Sequence, residues 1–150
     1  MTDYPDTSFL CAVYRVQDNS EAAWAYRGRL KEPLCVSTLL AFEFRQAIRL
    51  QVWLHGQDKK KGYGQTEAAQ MLTDWESDIA AGHVAIVPTD ADAVLRMAEH
   101  LSETHTALTG NRTLDILHVA TAKHLSAKSF LSFDERQKKL AKAAGLKTPL

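Results

Sequence analysis

Four acidic residues, spread along the whole sequence, have positions that suit one shared site: Asp6, Glu43, Asp115 and Asp134. Asp6 and Asp134 each follow a short run that predicts a strand, and open α/β sheets bind ligands at the carboxyl ends of their strands. Asp115 falls in the first turn of a predicted helix, and Glu43 lies about two turns into another. If the sheet winds as expected, these carboxylates meet at one edge. They would then hold Mg²⁺ or Mn²⁺, which prefer hard oxygen ligands.

A cluster of this kind fits the hydrolysis of a phosphodiester. The transition state of that reaction is rich in negative charge, which carboxylates alone would repel. A divalent cation held by the carboxylates supplies positive charge and activates a water molecule as the nucleophile. Without the cation the clustered carboxylates repel one another, so at least one of them should have a raised pKa.

Each acid also has an ordinary structural explanation. Asp6 and Asp134 could each cap a helix, and Gln137, three residues after Asp134, completes the pattern of a capping box. Asp115 near a helix N-terminus gains from the helix dipole, and Glu43 could face solvent. Both interpretations stay open at each single position, but the joint pattern is more specific than any one member.

The elements that must position these acids alternate between strands and helices. Short apolar runs predict strands at 34–37, 83–87 and 129–133, with a short first strand before Asp6 and a last edge strand at 147–150. Helical periodicity and capping signals predict seven helices: 8–14, 20–26, 38–55, 65–81, 91–105, 113–125 and 134–144. Gly56 is expected to end the third helix, and residues 106–111 to form a loop. The alternation predicts an α/β fold with a parallel sheet and right-handed crossovers.

Length and composition describe one ordinary globular domain spanning residues 1–150. Apolar residues make up 45% of the 150 residues and charged residues 24%. The 18 basic and 18 acidic residues give a formal net charge of zero, so any nucleic acid must bind through a local basic patch and bound cations. No signal peptide or membrane span is recognisable, which favours a cytoplasmic protein with Cys11 and Cys35 as buried, reduced thiols.

Three segments together carry a resemblance to a known family. They are Asp6-Thr7-Ser8 near the start, the stretch Leu114-Asp115-Ile116-Leu117-His118-Val119-Ala120-Thr121-Ala122, and Phe130-Leu131-Ser132-Phe133-Asp134-Glu135-Arg136-Gln137, with Glu43 in a helix between them. The sequence resembles PIN domains, and the second and third segments look specifically like toxins of the VapC type. The resemblance spans the chain from its start to near Leu146.

The resemblance implies a PIN-like three-layer fold with a parallel sheet of about five strands flanked by helices. It also implies an endoribonuclease that depends on Mg²⁺ or Mn²⁺, and Ser8 as a hydroxyl that hydrogen-bonds within the site. The family pattern further implies a homodimer and a cognate VapB-type antitoxin that blocks the site. The metal-binding and catalytic residues would be the four acids: Asp6, Glu43, Asp115 and Asp134.

Basic residues near the acids are candidates for contacts with RNA phosphates. Arg112 lies close to Asp115 in sequence, and Arg45 and Arg49 are four residues apart on the Glu43 helix. A solvated helix face explains the two helix arginines equally well. His118, three residues after Asp115, either supports the site or packs in the core.

Two other functions compete with a nuclease. A PIN-like module that binds RNA or protein without catalysis is the first, although acids at all four positions argue against it. A phosphatase similar to the haloacid dehalogenases, with Asp6 as the nucleophile, is the second. That family has an acid two residues after the nucleophile, where this chain has Ser8. The nucleotide-binding patterns GxxxxGK[ST] and GxGxxG do not occur.

Overall fold

The computed structural model of the chain describes residues 3–150, and within this range strands and helices alternate as the sequence predicts. The strands are β1 (Asp3–Pro5), β2 (Leu34–Ser37), β3 (Val84–Val87) and β4 (Ser129–Leu131). The helices are α1 (Thr7–Tyr14), α2 (Ser20–Arg27), α3 (Thr38–Gln57), α4 (Gln65–Ala80), α5 (Ala91–Thr109), α6 (Thr113–His124) and α7 (Glu135–Ala143).

The strands form two parallel pairs that lie side by side. β1 pairs with β4 and β2 pairs with β3. β1 also lies against β2, where the buried hydroxyl groups of Tyr4 and Ser37 are 2.7 Å apart. The expected fifth strand is reduced, within the described residues, to one parallel bridge between Lys147 and Ser129. Pro149 has no N–H with which to extend that bridge into a ladder. The predicted α/β class and parallel pairing are confirmed.

Aromatic side chains hold the helices to the strands. Trp75 of α4 is fully buried between Tyr14 and Phe44, with ring centroids 5.7 and 5.0 Å away. Phe9 of α1 stacks on Phe133, just after β4, at a centroid separation of 6.2 Å. This second contact fixes the first turn of α1 against the residues that follow β4. It therefore sets the spacing between the two segments that carry Asp6 and Asp134.

Two helices end two or more residues later than the sequence predicts. α3 continues past Gly56 to Gln57, and the N–H of Asp58 still donates to Leu54, because one glycine inside a helix costs only about 1 kcal/mol. α5 continues past His105 to Thr109, so most of the predicted loop is helical. It ends at Gly110, whose φ of 64° is readily adopted only by glycine.

β4 ends two residues earlier than predicted. The N–H groups of Phe133 and Asp134 donate to the hydroxyl oxygens of Ser8 and Ser132, not to a neighbouring strand. Side chains thus satisfy the backbone where the sheet stops.

Three large apolar side chains of α3 face away from the core. Phe42, Leu50 and Trp53 are 57%, 46% and 59% exposed. The buried residues of this helix are on other faces: Leu40, Ala41, Phe44 and Ile48. Within residues 3–150, no helix combines the length and the apolar character needed to span a membrane. Cys11 and Cys35 are free thiols, as expected, but each is only partly buried.

Candidate active site

The candidate site begins where β1 and β4 end at the same edge of the sheet. The two strands are parallel and in register, with Pro5 opposite Leu131. The next residue along each strand is Asp6 in one and Ser132 in the other, and the N–H of Asp6 donates to the carbonyl of Leu131 at 2.9 Å. The parallel register therefore puts a carboxylate and a hydroxyl side by side, although they are 126 residues apart in sequence.

Asp6 is a buried carboxylate held by three donors. It is 2% exposed and caps α1 by accepting the N–H of Phe9 at 2.9 Å. The hydroxyl groups of Ser8 and Ser132 donate to its two oxygens at 2.6 and 2.5 Å. Burial raises the pKa of Asp6 above its ordinary value of 3.8, and these hydrogen bonds and the nearby His118 oppose the rise. Crowding of the acids was expected to raise the pKa of one of them. The pKa of Asp6 is raised, but the main cause is burial.

Glu43 lies in the second turn of α3, directly beside the start of α1. The hydroxyl of Thr7 donates to its Oε2 at 2.7 Å, and Nε2 of the buried His118 contacts the same oxygen. Because a carboxylate only accepts, Nε2 of His118 carries the hydrogen. Burial raises the pKa of Glu43, but the hydrogen bond and charge of His118 and the hydrogen bond from Thr7 outweigh it, so the pKa is lowered.

Asp134 and Asp115 lie at the N-terminal ends of α7 and α6 and share one hydrogen-bond partner. Asp134 caps α7, and its Oδ1 accepts the N–H groups of Arg136 and Gln137 at 2.8 and 3.2 Å. Asp115 in the first turn of α6 accepts the N–H of Arg112 at 3.1 Å and the side-chain amide of Gln137 at 3.2 Å. Gln137 therefore touches both acids.

These contacts, together with two links between residues that are close in sequence, connect the four acids in one closed path, which we call the acidic ring. From Asp6 it passes through Ser132 to Asp134 and through Gln137 to Asp115. His118 lies three residues after Asp115, hence on the same face of α6, and contacts Glu43. Glu43 bonds to Thr7, the residue after Asp6, which closes the ring.

The donor set of the acidic ring fits a hard divalent cation in its chemistry. All four acids offer oxygen ligands of the type that Mg²⁺ and Mn²⁺ prefer. Oε1 of Glu43 and Oδ2 of Asp134 accept no hydrogen bond from any residue between 3 and 150. With the side chains as they stand in this range, no three carboxylate, imidazole or thiol groups are close enough together to share one ion.

The chain matches a known protein family over the segments that carry the four acids. A family model of the PIN domain matches residues 4–143, which include all four acids. The chain belongs to the PIN domain family. None of the curated proteins matches it significantly in sequence.

Several solved structures share this PIN fold over nearly their whole length. FitAcB from Neisseria gonorrhoeae is 18% identical, with a TM-score of 0.67 over 98% of this chain and 96% of that one. VapC20 from Mycobacterium tuberculosis, described as a toxin that cleaves the sarcin–ricin loop, is 16% identical, with a TM-score of 0.64 over 97% and 96%. FitAB bound to a DNA fragment is 18% identical, with a TM-score of 0.70 over 98% and 93%. At such identities the likeness establishes the fold.

Of the other predicted site residues of this PIN domain, Ser8 and Arg112 lie at the acidic ring and Arg45 lies away from it. Ser8 lies within it, where its hydroxyl donates to Asp6 and accepts from the N–H of Phe133. The side chain of Arg112 is 75% exposed, and its Nε is 3.8 Å from Asp115. Arg45 comes two residues after Glu43 and so points to another side of α3, where it lies 3.9 Å from Glu76 of α4.

Two hydroxyl side chains of the ring were missed by reasoning from sequence. Thr7 and Ser132 each adjoin a predicted acid, one residue after Asp6 and two before Asp134. A short hydroxyl residue next to a buried carboxylate is a natural donor to it, and that proximity is the signal that would have found them.

The capping box predicted for α7 is half right. Asp134 does cap the helix, but its own N–H donates to Ser132, so the side chain of Gln137 does not return to it. That side chain reaches Asp115 on the neighbouring helix instead.

Proposed function

We propose that this PIN domain is an endoribonuclease dependent on Mg²⁺ or Mn²⁺, and that it serves as the toxin of a VapBC-like toxin–antitoxin pair. One observation carries the proposal. The four acids expected from the family motifs lie on the acidic ring, which begins at the carboxyl ends of β1 and β4. The alternative that each acid serves only its own helix does not account for the contacts that connect them.

The cation would be held by the carboxylates of the acidic ring: Asp6, Glu43, Asp115 and Asp134. When bound, Mg²⁺ or Mn²⁺ supplies positive charge to the phosphodiester transition state and makes a water molecule a better nucleophile. The chain's own residues orient the carboxylates through hydrogen bonds. Ser8 and Ser132 donate to Asp6, which opposes the effect of burial on its pKa.

Glu43, on the other side of the ring, is also oriented by contacts with neighbouring side chains. Thr7 and His118 hold its Oε2 and lower its pKa, so this carboxylate is ionised and its Oε1 is free to bind a cation. Closing three ligands around one ion requires side chains to move together, and the attraction of a divalent cation for several carboxylates supplies the driving force.

RNA would approach over the exposed side chain of Arg112, beside Asp115. Arg45, which lies near Glu76, would take part only by leaving that weak contact. Because the net charge is zero, most of the affinity for RNA would come from these local cations and the bound metal.

The proposal includes two protein partners and a location. A VapB-type antitoxin would block the site, and a second copy of the chain would form a homodimer. Both need an apolar surface, and the exposed side chains of Phe42, Leu50 and Trp53 on α3 offer one. The activity would be in the cytoplasm, where cellular RNA is.

Cleavage of RNA by the purified chain tests the proposal. We expect cleavage with millimolar Mn²⁺ or Mg²⁺, none with EDTA, and none by the Asp115→Asn variant. Asp92→Asn is the matched control, because Asp92 also lies in the first turn of a helix but is exposed. RNA binding without cleavage by the wild type would favour the inactive PIN-like module. Equal cleavage by wild type and Asp115→Asn would remove the acidic ring from the reaction.

A further inference from the structure

Gln137 is the one residue of the acidic ring, among those the structure describes, that donates hydrogen bonds to the carboxylates of two of the acids. Its backbone N–H donates to Oδ1 of Asp134 at 3.2 Å, and its Nε2 donates to Oδ1 of Asp115, also at 3.2 Å. The residue is 7% exposed. These two bonds connect the first turn of α7 to the first turn of α6.

The orientation of the Gln137 amide is set by its partner. A carboxylate accepts hydrogen bonds only, so the nitrogen end of the amide must face Asp115. The oxygen end, Oε1, is consequently turned away from Asp115. It is buried and has no hydrogen-bond partner within residues 3–150. A buried polar atom without a partner costs about 1–3 kcal/mol.

Helix capping does not explain this amide. The N–H of Asp134, which a capping-box glutamine would bond, donates to Ser132 at 3.0 Å instead. Asp134 itself caps α7 through Arg136 and Gln137 backbone groups. An apolar side chain of similar size at position 137 would satisfy the helix equally well and would avoid the unpaired oxygen. The contact with Asp115 is what only an amide can make here.

Asp115 depends on this contact for one of its two oxygens. Its Oδ2 accepts from the N–H of Arg112, the N-cap residue of α6, whereas its Oδ1 accepts from Gln137 in the next helix. Without Gln137 the carboxylate could rotate about the Arg112 bond. Its position relative to Asp134 would then no longer be set.

We propose that Gln137 is a positioning residue for the divalent-cation site, which it serves by fixing the carboxylate of Asp115 relative to that of Asp134. The inference rests on the proposed function and names a residue beyond the four acids. Gln137 acts through Asp115 and Asp134, and it does not contact RNA.

The test compares Gln137→Met with the wild type in the absence of RNA. Methionine keeps the length and the backbone N–H but removes both the donor and the unpaired oxygen. We expect the dissociation constant for Mn²⁺, measured by electron paramagnetic resonance on the full chain, to rise about 10–100-fold. Unfolding in EDTA should occur at the wild-type temperature or slightly higher. A merely structural glutamine would lower the unfolding temperature and leave Mn²⁺ affinity in place.

Two further variants complete the design. Gln137→Asn keeps the amide but shortens its reach by one methylene group. It should lose Mn²⁺ affinity as Gln137→Met does. If Gln137→Met fails to fold, Gln137→Asn still tests whether the contact with Asp115 is needed for Mn²⁺ binding. Gln70→Met is the matched control. Gln70 donates to Asp74 on the exposed side of α4 at 2.8 Å, and its loss should leave Mn²⁺ affinity unchanged.

Cleavage assays separate positioning from chemistry. Raised Mn²⁺ should restore cleavage by Gln137→Met but not by Asp115→Asn. Equal Mn²⁺ affinity of wild type and Gln137→Met, with none in Asp115→Asn, would overturn the role of Gln137 and leave the proposed function standing. No Mn²⁺ binding by the wild type would overturn both.

Discussion

The hydroxyl of Ser132 joins two parts of the acidic ring, and its removal in Ser132→Ala should destabilise the fold in a way that depends on pH. Ser132 is fully buried. Its Oγ donates to Oδ2 of Asp6 at 2.5 Å and accepts the N–H of Asp134 at 3.0 Å. Alanine differs by this oxygen alone, so the substitution removes these two short hydrogen bonds and two contacts of 3.5 Å, to the Ser8 hydroxyl and the Asp134 carbonyl.

The magnitude follows from the two groups left behind. A hydrogen bond to a carboxylate contributes about 1.5–3 kcal/mol, and a buried N–H without an acceptor costs about 1–3 kcal/mol. The Asp134 N–H is only partly buried, so its share is at the lower end. We therefore expect Ser132→Ala to lower the free energy of unfolding by about 3 kcal/mol at a pH where Asp6 is ionised. In a chain of 150 residues this corresponds to a Tm lower by roughly 6–12 °C.

The pH dependence has a definite sign. Burial raises the pKa of Asp6 in the folded state, so ionised Asp6 disfavours folding as the pH rises through that pKa, and protonation relieves the cost as the pH falls. Ser132 donates to the ionised form. Its loss raises the pKa further, so the deficit of Ser132→Ala should be largest above the pKa of Asp6 and shrink as the pH falls through it.

Urea unfolding at a series of pH values measures the stability deficit of Ser132→Ala, and Ser37→Ala is the control. Ser37 is equally buried and ends β2, but its partners are the neutral Tyr4 hydroxyl and the N–H of Leu40. Its deficit should not vary with pH, because none of these partners titrates there. A Ser132→Ala deficit below about 1 kcal/mol, or one as flat with pH as that of Ser37→Ala, would refute the reasoning.

Two other predictions concern metal and acid. At a free Mn²⁺ concentration 100 times its Kd, the free energy of unfolding of the wild type should rise by about 2.7 kcal/mol and its Tm by roughly 5–10 °C. The Tm of Asp115→Asn should rise much less in the same thermal scan. Equal rises in Tm would mean that the ion binds elsewhere. Burial raises the pKa of Asp78, but hydrogen bonds from Tyr14, Arg27 and His83 outweigh it and lower the pKa. Asp78→Asn should therefore cost about 1–2 kcal/mol at pH 7. The difference in stability between wild type and Asp78→Asn should shrink as the pH falls below 3.8. Unfolding followed by circular dichroism measures it, and a difference that stays constant down to pH 2.5 would contradict the prediction.

Local signals predicted the elements of this fold well and their ends less well. β2 has the predicted bounds, and Asp6, Asp90 and Asp134 cap their helices through side-chain oxygens. Both of these features depend on residues close in sequence. The stop expected at Gly56 was wrong, because the helical hydrogen bonds of α3 continue through this glycine to Asp58, whereas at Gly110 the backbone turns left-handed and α5 ends.

The hydrogen bonds of the candidate site could not be predicted in the same way. The capping-box pattern around Asp134 was a reasonable interpretation of Gln137, but Ser132 took the N–H that the glutamine would have bonded. Which of two acceptors receives a donor depends on where the sheet ends and how α6 packs against α7. Neither is encoded in the spacing of residues 134–137.

By itself, then, the sequence determined that strands and helices alternate, where most of them begin, and which four acids are candidates for one site, since periodicity and capping act within a few residues. Tertiary structure alone decided which groups hold those acids. Ser132 is 126 residues from Asp6, and His118 is 75 residues from Glu43. Contacts over such separations exist only once the parallel strands are in register and the helices are packed against them, and that packing is what converts four separate carboxylates into a ring.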